Sequence, residues 1–410
     1  MKFVADFHIH SKYSRATSKE MDLDHLTDWA KMKGISLLGT GDWTHHLWLQ
    51  ELEGKLKPGG NGVFSYRGIN FILATEVSSI YSKNGRGRRI HNLIFAPDFA
   101  TVRKINNELA GYANLSSDGR PILGLDCVSL VELILGANPA CFIVPGHIWT
   151  PWYSLFGANS GFDAVEECFE KYAKDIYALE TGLSSDPAMN WRWAALDRFS
   201  LLSNSDAHSP SRLGREANIF DCRLDYYDIL DSLKKKDRER FLSTIEFFPE
   251  EGKYHYDGHR SCNILYSPEQ SRGKKDVCPV CGKTLTIGVM HRVEQLADRP
   301  VGFVLEGAQP FKNTIPLDEI IADAKGLGRS TKTVDQEYRL MVQKLGPELD
   351  ILLNVPEEQL REVCSERLAQ GIMNVRQGKV QITPGHDGVY GKIDIFGQGN
   401  KEPEKQLSFF

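Results

Sequence analysis

The sequence predicts an α/β barrel, followed by a small metal-stapled module and a mainly helical C-terminal domain. Three observations carry this expectation. Up to about residue 208, short apolar runs alternate with amphipathic stretches, the pattern of a parallel sheet buried on both faces. Around residues 250–300 the periodicity stops and His and Cys appear at knuckle-like spacing. From Leu317 to Leu368 a helical period returns.

The expected strands are Phe3–Phe7, Ile35–Leu38, Asn70–Ala74, Leu93–Phe95, Ile122–Leu125, Cys141–Val144, Ile176–Leu179 and Phe199–Leu202, all rich in Ile, Leu, Val and Phe. Between them, Leu23, Leu26, Trp29, Ala30 and Lys33 follow helical spacing, as do Leu130, Leu133 and Ile134. Roughly seven or eight such units fit a closed α/β barrel. In the C-terminal region, Ile320, Ile321 and Ala324 form one helix face, Tyr338, Met341, Val342 and Leu345 a second, and Leu360, Val363, Cys364 and Leu368 a third. Gly378–Ile395 reads as short strands with Gly turns, and a polar, Gly/Pro-containing tail follows. The expected units are residues 1–248, 249–300, 301–396 and a flexible tail, 397–410.

Length and composition narrow the function. A chain of 410 residues is long enough for two or three domains. With 49 basic and 54 acidic side chains the net charge is −5, so overall charge does not drive nucleic-acid binding and any polyanion site must be a local patch. No apolar run reaches membrane-spanning length, and Met1–Asp6 lacks the features of a signal peptide. Eight scattered Cys do not make a disulfide scaffold, whereas Cys278-Pro-Val-Cys281 suits metal binding in a reducing cytoplasm.

The polar residues fall where a barrel would use them. Asp6-Phe-His8-Ile-His10 closes the first strand, and Gly41-Asp42-Trp-Thr-His45-His46 the second. Glu76, His147 and Glu180 each follow an apolar run, and Asp206-Ala-His208 closes the last. In a parallel barrel all these ends lie on one rim, where active sites form. Residues two apart in a strand share a side, so His8 with His10, and Asp206 with His208, can serve one cluster. His and carboxylate together suit zinc, manganese or iron rather than calcium. His91 precedes its apolar run, and its spacing leaves a ligand role open.

At these residues the chain resembles the PHP (polymerase and histidinol phosphatase) superfamily. The resemblance implies a distorted (β/α)7 barrel, two or three divalent ions (Zn, Mn or Mg) and phosphoesterase activity. It implies a ligand set of His8, His10, Glu76, His91, His147, Asp206 and His208, with Glu76, Asp206 and His208 central to catalysis. The family's Thr-Asp-His motif reads Thr40-Gly-Asp42-Trp-Thr-His45 here, so the share of Asp42, His45 and His46 stays open.

In the module, His259-x2-Cys262 and Cys278-x2-Cys281 have the spacing of one tetrahedral zinc, closed and therefore structural, with His255 competing with His259 as fourth ligand. Lys83, Arg86, Arg88 and Arg89 put four charges into a Gly-rich segment after Glu76, either a DNA-binding loop or a solvated hairpin turn. Trp149, Trp152, Tyr153 and Phe156 follow His147, as rings for stacking on a base or as core.

Together, the barrel motifs, Gly252-Lys-Tyr-His-Tyr-Asp-Gly-His259, the Cys pairs and Met290-His-Arg-Val-Glu-Gln-Leu-Ala297 resemble the endonuclease Q family over nearly the whole chain. This implies a cytoplasmic, nucleoid-associated DNA repair endonuclease. It would nick 5′ of uracil, hypoxanthine, xanthine and abasic sites by metal-activated water, with the lesion base flipped into a pocket. The final Gln406-Leu407-Ser-Phe409-Phe410 resembles peptides that dock on the replication sliding clamp. The alternative is a PHP-type phosphatase acting on a small phosphorylated metabolite, which leaves the cysteine module, the basic segment and the clamp-like tail without a role.

Overall fold

The computed structural model describes residues 1–397. The clamp-like residues Gln406, Leu407, Phe409 and Phe410 lie outside the described residues.

The first region is a mixed α/β layer around one extended sheet. Its strands are β1 (Lys2–Asp6), β2 (Leu37–Gly39), β3 (Lys57–Gly60), β4 (Val63–Tyr66), β5 (Ile69–Lys83), β6 (Arg86–Ala96), β7 (Ile122–Leu123), β8 (Phe142–Pro145), β9 (Ala178–Glu180), β10 (Ser200–Leu202), β11 (Ala217–Asp221) and β12 (Phe241–Glu246). Each of the eight expected runs contributes a strand. β1, β2 and β5 are parallel neighbours. β5 and β6 form a long antiparallel hairpin, and β8 pairs antiparallel with β6. β9 and β10 form their own parallel pair, tied to the rest through the Ile9–Ala207 bridge. β11 and β12 extend the sheet antiparallel beyond β1.

This departs from a uniform parallel barrel in one way that matters for the site. β6 runs against its neighbours, so its rim end is its start. His91 therefore precedes its apolar run and still faces Ser78, two residues beyond Glu76. Leu93 and Phe95 point to one side of the hairpin and Ile94 to the other, each buried in a different apolar core. The Asn84-Gly85 turn, with both residues at positive φ (54° and 72°), closes the hairpin. The basic segment is thus a hairpin tip, not a loose loop.

The C-terminal helices Leu317–Lys325, Lys332–Leu345, Glu348–Leu353, Glu357–Val363 and Glu366–Arg376 enclose a separate core that includes Ile320, Tyr338, Met341 and Leu360. Within the expected 301–396 unit, Phe311–Asn313 adds a parallel strand to β12 and so joins the large sheet. Trp29 and Met32 of the helix Leu23–Lys33 pack on the helical core. Lys33 and Glu348 form a buried ion pair across that boundary, Nζ to Oε2 2.6 Å. No helix among the described residues is long and apolar enough to cross a membrane.

Candidate metal centre and cleft

The ends of β1, β8 and β10 and the middles of β5 and β6 bring seven expected residues together. His8, His10 and Glu76 form one group, His10, Asp206 and His208 a second, and Glu76, His91 and His147 a third, the ligand atoms of each lying within 4.8 Å of one another. His10 and Glu76 are shared, so the groups make one cluster. Nε2 of His8 lies 3.5 Å from Glu76 Oε2 and 3.6 Å from Asp206 Oδ1, and Nε2 of His10 lies 3.3 and 3.1 Å from the same atoms. The two Nε2 atoms and Asp206 Oδ1 are shut off from solvent yet make no hydrogen bond. Buried polar atoms are normally satisfied. Orphaned N and O donors converging on one point are the arrangement a divalent cation requires.

The layer behind fixes which face each imidazole presents. His8 Nδ1 is 3.0 Å from Glu180 Oε1, and His10 Nδ1 is 3.0 Å from Asp42 Oδ1. A carboxylate at Nδ1 holds the proton there and leaves the Nε2 lone pair facing the cluster. Glu180 also accepts from Asn204 Nδ2 (2.8 Å) and the His147 N–H (2.7 Å), while Asp42 Oδ2 accepts from the Ser11 N–H (2.6 Å) and hydroxyl (2.7 Å). Asp42 (φ 44°), His147 (φ 29°) and Asp206 (φ 46°) all sit in the sparsely populated left-handed region. His147 is pressed against Gly182, where a Cβ would come within 2.4 Å of the His147 Cβ.

The electrostatics match. Burial alone would lower His8 and His10, but Glu180, Glu76 and Asp206 around the first, and Asp42 and Asp206 around the second, hold both well above the ordinary imidazole range. Burial opposes ionisation of Glu76, but His91, Arg120 and His8 hold it well below the usual carboxylate range. Burial pushes His91 down to about 4, against the pull of Glu76 at 2.5 Å. A cation entering at the cluster would displace the second, Nε2 proton of each imidazole and leave the Nδ1 proton on its carboxylate partner.

Two expected ligands stand outside the groups. Asp42 has both oxygens committed to His10 and Ser11, so it stands behind the cluster and orients the His10 ring. His45 stacks on Tyr13, ring centroids 4.5 Å apart, and on His46 at 5.2 Å. The extra residues between Asp42 and His45 carry His45 into the helix start and away from the cluster.

His208 connects the cluster to a cleft of 1310 Å³, whose walls include Trp152, Tyr153, Phe247 and Tyr254.

A family model described as the MJ0043 C-terminal domain matches residues 316–379. The chain is 30% identical over 413 residues to the uncharacterized protein YqxK of Bacillus subtilis, which spans 96% of this chain and 99% of YqxK. It is 33% identical over 256 residues to the uncharacterized protein MJ0043 of Methanocaldococcus jannaschii, 61% of this chain and 31% of that one. Among solved structures, the lesion-specific endonuclease PfuEndoQ of Pyrococcus furiosus superposes with a TM-score of 0.86 at 32% identity, covering 96% of this chain and 95% of that chain. Endonuclease Q in complex with a 27-mer duplex substrate carrying an abasic lesion at its active site gives 0.87 at 32% identity, covering 100% of both. The chain belongs to the endonuclease Q family.

In this endonuclease Q member the remaining expected residues divide. His259, Cys262, Cys278 and Cys281 bring their ligand atoms within 4.8 Å of one another. The Cys278 thiol, although burial pushes it up, is drawn down to about 7 by the N–H groups of Cys281 and Val280. His255 is buried and is not among these grouped ligand atoms, whereas His259 is. The basic hairpin is mostly committed internally. Lys83 pairs with Glu170 at 2.6 Å, and the buried Arg88 donates to the Gly161 carbonyl and lies 4.0 Å from the Phe162 ring centroid. Arg89 lies over the Tyr153 ring, and Arg86 is exposed at the tip. Trp149 is core, its indole donating to Asn190 Oδ1 (2.8 Å), as is Phe156. Trp152 is 38% exposed and meets Tyr254 edge to face.

Sequence reasoning missed Arg120, whose Nη1 lies 3.1 Å from Glu76 Oε2. It follows no apolar run, and no spacing marked it. The Asn84-Gly85 dipeptide between β-rich runs was a readable hairpin signal.

Proposed function

We propose that this chain is a metal-dependent DNA repair endonuclease, nicking the phosphodiester backbone 5′ of deaminated bases (uracil, hypoxanthine, xanthine) and of abasic sites. The observation that carries this is the set of orphaned, solvent-excluded His and Asp atoms that His208 joins to an aromatic-walled cleft of 1310 Å³. Full-length likeness to endonuclease Q bound to a lesion duplex supports it. Two or three divalent ions, zinc, manganese or magnesium, would be held by His8, His10, Glu76, His91, His147, Asp206 and His208. They would supply Lewis acidity toward a phosphodiester and bring the pKa of a water toward neutrality.

The chain's own residues do the rest. Glu180 and Asp42 orient the imidazoles of His8 and His10. Arg120 balances the Glu76 carboxylate. Trp152, Tyr153 and Tyr254 offer aromatic faces in the cleft for an extruded base. Within this reading, residues 1–248 constitute a PHP-type distorted (β/α)7 barrel. His259, Cys262, Cys278 and Cys281 hold one structural zinc, and the peptide ending in Phe410 binds a sliding clamp.

The test is cleavage of a labelled duplex carrying one deoxyuridine, with and without divalent metal. A metal-dependent nick beside the lesion is expected, and Asp206→Ala should abolish it. No nick from wild-type protein, with turnover of a small phosphate ester, would overturn this in favour of the phosphatase. Normal cleavage by Asp206→Ala would overturn the site assignment.

A further inference from the structure

A tight turn, Gly385–Gly391, stands at the lip of the same cleft. Its backbone is held at many points. The Gly385 N–H donates to the Glu250 carbonyl (2.9 Å), Gly388 to Lys253 (2.9 Å) and Gly391 to Glu251 (3.0 Å), while the Gly385 carbonyl accepts from the Tyr256 N–H (2.9 Å). Asp387 accepts from the Arg260 N–H and the Thr286 hydroxyl, both at 2.6 Å. At Gly391 a Cβ would lie 2.0 Å from the Glu250 carbonyl oxygen, so the turn is pressed onto the segment below.

Such a turn has every opportunity to bury its apolar residues. Gly385 and His386 are buried. Val389 and Tyr390 instead point out, 37% and 69% exposed, with Tyr390 at the cleft wall. The Lys253 ammonium lies 5.0 Å from the Tyr390 ring centroid. A rigidly mounted, solvent-exposed ring beside an exposed cation is poorly explained by folding. It matches what strand opening in a duplex needs. Extruding a nucleotide costs the stacking and pairing it made in the duplex. An aromatic ring stacked on an exposed base face offsets part of that cost, and a cation beside it can neutralise the flanking phosphate.

We propose that Tyr390, presented by the Gly385–Gly391 turn with Lys253 alongside, is a positioning residue that wedges into duplex DNA at the gap left by the extruded nucleotide. This rests on the endonuclease reading of the cleft. The ring acts on the duplex and not on the reacting phosphate, so its contribution is specific to paired substrates.

The test compares full-length wild-type protein with Tyr390→Ala and Tyr390→Phe. The probes are a deoxyuridine-containing duplex and the same labelled strand without its complement, in single-turnover cleavage. Tyr390→Ala should slow duplex cleavage by at least about tenfold, with single-strand cleavage within about twofold of wild type, and Tyr390→Phe should restore duplex cleavage. Equal rates on duplex for Tyr390→Ala and wild type would overturn the wedge, as would an equal loss on both substrates or failure of Tyr390→Phe to rescue. If wild-type protein cuts neither substrate, the endonuclease reading itself fails, which is a distinguishable result.

Discussion

Replacing Asp42 by Asn tests whether the layer behind the cluster sets metal affinity. Asp42 Oδ2 accepts two hydrogen bonds from Ser11, at 2.6 and 2.7 Å, so in the variant the amide oxygen must face Ser11. The amide NH2 then faces His10 Nδ1, now 3.0 Å from a carboxylate oxygen. A donor at that place makes Nδ1 accept, moving the ring proton to Nε2, where it points at Glu76 and Asp206. His10 is shared by two of the three ligand groups, so the wrong tautomer weakens both. Loss of such an outer partner costs about 10–100-fold in metal affinity, or about 1.4–2.8 kcal/mol. The assay is Mn²⁺ titration of metal-stripped protein followed by electron paramagnetic resonance, since thiolates of the cysteine module discriminate against Mn²⁺. Far-UV circular dichroism controls for folding. A folded Asp42→Asn protein that binds Mn²⁺ within twofold of wild type would refute the tautomer argument.

Lys33→Met should strand the buried Glu348 carboxylate and cost about 3–5 kcal/mol, read from urea unfolding; adding Glu348→Leu should recover much of it, because no buried charge is then left unpaired. Burial lowers His255 from 6.5 to about 4, so the unfolded chain binds more protons between those values and stability falls as pH drops from 6.5 toward 4. The limiting loss is about 3 kcal/mol, and His255→Leu should flatten that acid limb relative to wild type in unfolding at pH 5 and pH 7.5. Cys281→Ser, which removes the thiol 3.6 Å from His259 Nδ1, should reduce bound zinc by one equivalent and lower the unfolding midpoint while leaving Mn²⁺ binding at the other cluster intact.

The strands and most of the cluster were legible because both follow local rules. Buried strands are continuous apolar runs, and His-x-His or Asp-x-His at a strand end places both side chains on one side. What was not legible depends on partners far along the chain. The direction of β6 is set by the hairpin with β5, and only that explains why His91 lies ahead of Leu93–Phe95. The role of Asp42 stays open in sequence, since the choice between ligand and orienting residue rests on where its two oxygens point. Arg88 looks like a surface charge until Gly161 and Phe162 fold over it.

Charge follows the same logic at the scale of the whole molecule. A net charge of −5 argues against binding a polyanion, yet what a DNA strand meets is set by which cations remain unneutralised where it lies. Counting basic residues along the chain overstates that number. Glu319 sits 2.6 Å from Arg212 and 3.1 Å from Arg329, and Asp318 lies 3.8 Å from Arg212, so two carboxylates offset these two cleft guanidiniums, and Glu170 offsets Lys83. Arg86 at the hairpin tip and Lys253 at the cleft lip carry no carboxylate partner among the described residues. Arg215 on the cleft wall adds a further cation without a carboxylate ion pair, its guanidinium donating to the Ser205 and Asp206 carbonyls, so a few free charges stand beside the aromatic faces of the cleft. On the endonuclease reading proposed above, such a surface would hold a backbone loosely through charge and gain its discrimination from stacking, which depends on a base leaving the duplex rather than on the sequence around it.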